Sequence, residues 1–185
     1  MEINLRTSTT AGLVLAAGAG TRYGQPKAPV VIDGERLVDR AVRVLSEAGC
    51  FPIAVVLGAW IGDVPGAVII ENPDWESGMG SSLREGLQWV STTDADSVIV
   101  TLVDLPGLTS QAVTRIAEHP STLVSATFDG ERGHPVKFGR AHWDALIATA
   151  SGDVGARDYL RGRDDLVLLE LSDLADGQDL DTPDA

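Results

Sequence analysis

The chain has 185 residues, 44% of them hydrophobic and 22% charged, with a mean hydropathy of +0.08, a composition that suits one globular domain over residues 1–185 and excludes long disordered stretches. Fourteen lysines and arginines against 27 acidic residues give a formal charge of −13, which excludes a nonspecific grip on nucleic acid. Cys50 is the only cysteine, so a disulfide framework and a Cys-based zinc site are excluded as well, and the three histidines show no metal-ligand spacing.

Taken in chain order, the first strand is expected at Leu13-Val14-Leu15, bounded by glycines. The apolar run containing it, Ala11 to Gly20, is too short and too glycine-rich to span a bilayer. Glu2 beside Arg6 ahead of that run argues against a secretory leader, so a soluble cytoplasmic protein with no membrane partner is expected. A helix follows with Leu37, Ala41, Val44, Leu45 and Ala48 on one face, stopped by Gly49. Further strands are expected at Ile53–Leu57, Ala67–Ile70, Ser97–Val103, Leu123–Ala126 and Leu166–Leu169. Near-continuous apolar runs of this length read as strands buried on both faces, as in a parallel sheet. Between them, Leu83, Leu87 and Val90 form a helix with Ser81-Ser82 as its N-cap, Thr109 caps a helix carrying Val113 and Ile116, and Trp143, Leu146 and Ile147 form a third stripe. The alternation predicts a three-layer α/β/α sandwich with a mostly parallel, Rossmann-like sheet. The segment after Arg163 holds eight acids and no base, and its end is expected to be solvated. Trp60, Trp75, Trp89 and Trp143 follow no spacing suited to base stacking and read as packing residues.

In such sheets ligands bind beyond the carboxyl ends of the strands, so the residues just after strands matter most. After the first strand comes Leu15-Ala16-Ala17-Gly18-Ala19-Gly20-Thr21-Arg22-Tyr23-Gly24-Gln25-Pro26-Lys27. Its small residues let backbone N–H groups approach phosphate oxygens, and Arg22 and Lys27 add positive charge. It is not a Walker A loop, and Tyr23 takes the place of the third glycine of the dinucleotide fingerprint. After the fourth expected strand comes Asp104-Leu105-Pro106, where the carboxylate either caps a turn or holds Mg²⁺ against a triphosphate. Asn72-Pro73-Asp74-Trp75-Glu76-Ser77-Gly78-Met79-Gly80-Ser81-Ser82-Leu83 joins a glycine-rich loop to a helix start and reads either as an ordinary cap or as a set of donors for a base and ribose. By themselves His134 reads as a hydrogen-bonded structural histidine and Asp153 as an N-cap for a helix running through Leu160.

The pattern Leu-Ala-Ala-Gly-x-Gly-x-Arg-x-Gly-x-x-Lys resembles the signature of the MobA-like nucleotidyltransferases, and the later segments resemble those of its molybdenum cofactor cytidylyltransferases from Leu13 to Asp184. The resemblance implies the nucleotide-diphospho-sugar transferase type of fold and a Mg²⁺-dependent transfer of CMP, or less readily GMP, to a phosphorylated acceptor such as molybdopterin, with pyrophosphate released. It implies nucleotide binding by Leu15, Ala16, Ala17, Gly18, Gly20, Arg22, Lys27, Gly80 and Ser82, with Arg22, Lys27 and Asp104 catalytic. Gly133-His134-Pro135-Val136-Lys137-Phe138 and Gly152-Asp153-Val154-Gly155-Ala156-Arg157 also match family segments, which places His134 and Asp153 on the acceptor side. The closing Asp179-Leu180-Asp181-Thr182-Pro183-Asp184 implies that Asp181 joins Asp104 at the metal. Relatives that select guanine have Leu-Ala-Gly-Gly where this chain has Leu15-Ala16-Ala17-Gly18, so CTP is the expected nucleotide. Short relatives have also been named oxidoreductases of the pigment nicotine blue. An NAD(P)H-dependent reductase is therefore the alternative, followed by a non-catalytic molybdenum-cofactor partner of a molybdoenzyme that receives the cofactor.

Overall fold

The computed structural model describes residues 8–182. Its centre is a seven-stranded sheet in the order β5-β4-β1-β6-β8-β7-β9. The strands are β1 Thr10–Ala16, β4 Ile53–Leu57, β5 Val68–Glu71, β6 Ser97–Leu102, β7 Leu123–Phe128, β8 Glu131–Gly139 and β9 Val167–Glu170. The short β2 (Val31–Ile32) and β3 (Glu35–Arg36) pair separately. Within the seven-stranded sheet β8 runs antiparallel to both its neighbours, and the other pairings are parallel. The fold is thus the three-layer α/β type expected, with a mostly parallel sheet.

Alternating side chains of β1 show why the strand is apolar on both faces. Val14 and Ala16 join one apolar cluster with Leu37, Val38 and Leu45 of α1 (Leu37–Glu47) and Val113 and Ile116 of α3 (Ser110–Ala117). Leu13 and Leu15 join the other, with Leu83, Leu87 and Val90 of α2 (Met79–Ser91) and Trp143 and Leu146 of α4 (Trp143–Thr149). α1 ends as its sequence predicts: Gly49 at φ +82° turns the chain, and the Cys50 and Gly49 amides donate back to the Leu45 and Ser46 carbonyls, both at 3.0 Å. The Thr109 hydroxyl accepts from the Ala112 amide at 3.2 Å, the expected cap of α3.

Several local expectations are corrected. Two antiparallel hairpins, β2–β3 and β7–β8, were not anticipated. Each turns on an Asp-Gly pair with both residues at positive φ, Asp33-Gly34 and Asp129-Gly130. α2 starts at Met79 with Gly78 in the capping position, so Ser81 and Ser82 lie inside its first turn, where both are buried. Asp153 belongs to a 3-10 turn over Gly152–Val154 and caps nothing; the following helix, α5 (Arg157–Leu160), begins after Ala156. The acidic end is not simply solvated: Leu171 and Leu180 are buried, and the Leu180 amide donates to the Asp104 carbonyl at 2.9 Å. Trp143 is buried, with its indole N–H on the Phe138 carbonyl at 3.0 Å, a packing role as expected.

Candidate active site

β1 lies at the point where the chain order reverses, with β4 on one side and β6 on the other. The loops leaving β1 and β6 therefore diverge and leave a crevice between them, the usual ligand position in such sheets. The cleft there measures about 1160 Å³ and runs from the β1 loop across to the β7–β8 hairpin and the segment 153–157.

The floor is set by chain geometry. Ala16 and Ala17 are almost fully buried, and the Ala17 carbonyl is held by the Ala59 amide at 2.9 Å. A Cβ at Gly18 would meet nothing within 4 Å, so that face of the loop is open to a ligand. Gly20 is required for the turn itself: at φ +62° its Cβ would lie 1.9 Å from the Gln25 carbonyl oxygen, and its own carbonyl accepts from the Gly24 amide. This fold-back delivers Lys27 to the cleft.

Asp104 is fixed at the end of β6 by two backbone bonds, Val103 N–H to Leu15 O at 3.2 Å and Leu180 N–H to Asp104 O at 2.9 Å. Its carboxylate Oδ2 accepts from Lys27 Nζ at 2.7 Å, and the pair is mostly buried, with side chains 12% and 18% exposed. Asp181 returns from the last segment, with Oδ1 3.5 Å from Lys27 Nζ and Oδ2 accepting from Arg22 Nη1 at 3.0 Å. Burial, and then Asp104 and Asp181 nearby, push the Asp179 carboxyl above its ordinary value. Asp104 Oδ1 is buried without a hydrogen-bond partner. A buried carboxylate oxygen with a free lone pair, facing a cleft, suits a cation. Among the described residues no three His, Cys, Asp or Glu side chains are arranged around one metal position. Two carboxylates are nevertheless the donor set that magnesium takes when phosphate oxygens and water complete its shell. Asp104 and Asp181 fit that ion.

Behind the opposite wall, Asn72 follows β5 and is 2% exposed, bonded through its amide nitrogen to both Ser81 Oγ and Ser82 Oγ. Ser82 lines the cleft, whereas Gly80 does not: a Cβ there would lie 2.4 Å from the Ser151 amide, so the glycine lets the 151–153 turn pack on α2. Asp153 lies against Gly78 at the same junction. His134, on β8, lines the far end; burial lowers its pKa to about 4, with Asp104 pulling the other way and Arg157 adding to the drop. Arg132 and Arg157 line that end and form no ion pair in the described structure. Trp75, expected only to pack, lies against Gly58 and also lines the cleft. Asn72 and Arg157 stood inside the motif segments but were not singled out: Asn72 meets Ser81 and Ser82 only once the turn after β5 brings α2 back against it, and Arg157 reaches the cleft only through the fold.

This is the architecture of a nucleotidyltransferase, and the chain belongs to the MobA-like NTP transferase domain family, whose pattern matches residues 12–167. It is 37% identical to the nicotine blue oxidoreductase of Paenarthrobacter nicotinovorans, over 92% of this chain and 91% of that protein. It is 31% identical to the molybdenum cofactor guanylyltransferase of Rhizobium johnstonii, over 94% of this chain and 82% of that one. Among solved structures, Rv0371c of Mycobacterium tuberculosis H37Rv superposes with a TM-score of 0.77 at 26% identity, covering 96% of this chain and 95% of that one. Rv0371c has also been solved in complex with manganese, in a structure that matches with a TM-score of 0.70 at 24% identity over 88% of each chain.

Proposed function

We propose that this chain is a magnesium-dependent nucleotidyltransferase acting as one domain. A phosphate oxygen of the acceptor attacks the α-phosphorus of a nucleoside triphosphate. The bond from that phosphorus to the bridging oxygen of the β-phosphate breaks, and pyrophosphate leaves with the electron pair. The observation that carries this reading is the buried, unpartnered Asp104 Oδ1 beside Lys27, just past the end of β6 and next to the switch-point strand β1. Arg22 and Lys27 hold the triphosphate and balance charge that builds on the leaving oxygens, and the loop amides around Gly18 approach the phosphates directly. Asp104 and Asp181 would hold a magnesium ion, which when bound would supply Lewis-acid neutralisation of the phosphates. His134 is neutral at physiological pH and offers the acceptor phosphate a hydrogen bond without adding charge. Catalysis of this kind is mostly positioning and electrostatics.

CTP is the proposed nucleotide, since Ala17 places a methyl where guanine-selecting relatives carry glycine, and GTP is the competitor that the Rhizobium relative's name supports. Molybdopterin is the proposed acceptor, with a receiving molybdoenzyme as partner. The test is calorimetric titration with CTP, GTP, ATP and NADPH, with and without Mg²⁺, followed by pyrophosphate release with and without molybdopterin. Magnesium-dependent binding of CTP above GTP, and release that needs both substrates, is the expected result.

The second reading is an NAD(P)H-linked reductase, favoured by the 37% identity to the Paenarthrobacter protein over nearly the whole chain. Against it, Tyr23 occupies the third glycine position of the dinucleotide fingerprint and packs on the apolar cluster below the loop. Binding of NADPH alone would put this reading first.

A further inference from the structure

The two serines at the start of α2 look alike in sequence, but their hydrogen bonds differ. Asn72 Oδ1 accepts from the Asp74 amide at 2.9 Å, and because a backbone N–H can only donate, this contact fixes which way the Asn72 amide faces. Both hydrogens of its Nδ2 are then used, one on Ser81 Oγ at 2.8 Å and one on Ser82 Oγ at 3.0 Å. Ser81 has two carbonyl acceptors within reach, Gly78 O at 2.9 Å and Asp74 O at 3.0 Å, so its proton is consumed inside the protein. Ser82 Oγ has no acceptor among the described residues, and Ser82 is 4% exposed and lines the cleft. A buried hydroxyl that already accepts from an amide has its hydrogen left over for whatever fills the cleft.

Resting on the nucleotide-binding reading above, we propose that Asn72 is a positioning residue that commits Ser82 to donate a hydrogen bond to the nucleoside half of the substrate. The atom Ser82 meets is therefore an acceptor, a carbonyl oxygen or an unprotonated ring nitrogen of the base. Placement supports the nucleoside half. Lys27 leads into Ala28 and Val30 of the apolar cluster on the α1–α3 face, whereas Ser82 precedes Leu83 of the cluster on the α2–α4 face. A ligand whose phosphates rest at Arg22 and Lys27 turns its other half across the sheet edge toward Ser82.

Calorimetry on the full chain tests this with CTP, GTP, NADPH and inorganic tripolyphosphate, each with Mg²⁺. The proteins compared are the wild type, Ser82→Ala, Asn72→Asp and the double variant. An aspartate at position 72 takes the Ser82 proton for itself and turns the hydroxyl's lone pairs to the ligand. For the nucleotide that the wild type binds, Ser82→Ala weakens affinity about tenfold and Asn72→Asp about a hundredfold. The double variant returns to the Ser82→Ala value, and tripolyphosphate affinity is unchanged throughout. Unchanged nucleotide affinity in either single variant overturns the proposal. So does tripolyphosphate affinity falling in step, which marks a merely structural effect. If NADPH binds and no triphosphate does, the transferase reading fails while the variants still judge Asn72 on NADPH; no nucleotide binding at all overturns both. Should Asn72→Asp not fold, ¹⁵N spectra of the wild type and Ser82→Ala decide. Nucleotide saturation shifts the Asn72 side-chain amide in the first and not in the second, and no shift in the wild type overturns the proposal.

Discussion

Replacing Lys27 by alanine perturbs both stability and rate. The ammonium lies 2.7 Å from Asp104 Oδ2 with both side chains mostly buried, so its removal leaves a desolvated carboxylate with neither oxygen satisfied. Breaking a fully buried pair costs about 3–5 kcal/mol; the residual exposure here lowers the expectation to about 2–3 kcal/mol. Lys27→Ala/Asp104→Asn, which removes the stranded charge as well, recovers most of that loss. Urea unfolding of the wild type, Lys27→Ala, Asp104→Asn and the double variant measures the coupling directly. Mg²⁺ should raise the midpoint of Lys27→Ala more than that of the wild type, because the ion then meets an uncontested carboxylate. In turnover, losing one charge-stabilising donor costs about 10²- to 10³-fold. Wild-type stability in Lys27→Ala would show that the pair is not desolvated, and a near-normal rate would remove Lys27 from the mechanism.

Asp104→Asn flattens the Mg²⁺ titration of nucleotide binding while the fold persists; an unchanged titration refutes the metal assignment. Gly20→Ala forces a Cβ into the Gln25 carbonyl at a positive φ, so a loss of about 2–4 kcal/mol in thermal unfolding is expected, together with weaker triphosphate binding. His134 has a folded-state pKa of about 4 against an ordinary 6.5, so the unfolded chain takes up a proton that the folded chain refuses. Its contribution is complete above pH 6.5 and fades as pH falls toward 4, by up to about 3 kcal/mol. His134→Gln should flatten the acid limb of stability between those values, and an identical pH profile would contradict the burial.

The parallel part of the sheet was legible because its strands are buried on both faces and announce themselves as apolar runs, Ile53–Leu57 and Ser97–Leu102 above all. β8 was not legible, since Gly133, His134 and Pro135 break the apolar pattern and the strand's register depends on neighbours far away in sequence. Yet the Asp-Gly pairs at 33–34 and 129–130 are local turn signals, and weighing them would have produced both hairpins. In the cleft, Arg22, Lys27 and Asp104 could be singled out because each follows a strand in a loop of distinctive composition. Asn72 could not, because its importance lies in three hydrogen bonds that exist only once β5 and α2 meet. The docking of the acidic segment escaped notice for a related reason: its charges suggested water, which Asp173, Asp176 and Asp179 do meet, while Leu171 and Leu180, the residues that dock it, are few.

On the transferase reading, that docking has an electrostatic consequence for an acidic protein. Arg22 and Lys27 are matched by Asp104 and Asp181 at 2.7 to 3.5 Å, so their charges cancel. Asp179 adds a third carboxyl nearby, whose pKa is raised by burial and then by the other two. A triphosphate arriving alone therefore meets no net attraction, and the −13 charge of the chain opposes it at longer range. A divalent ion held by the carboxylates would reverse that sign locally and would free both basic side chains for the ligand. On the transferase reading, then, the metal is a condition of nucleotide binding and not only of the chemical step. Arg22 is 79% exposed and readily turned, whereas Lys27 is enclosed, so salt should weaken the first ion pair far more than the second. Metal-free binding of CTP as tight as in Mg²⁺ would show that this cancellation does not govern the site.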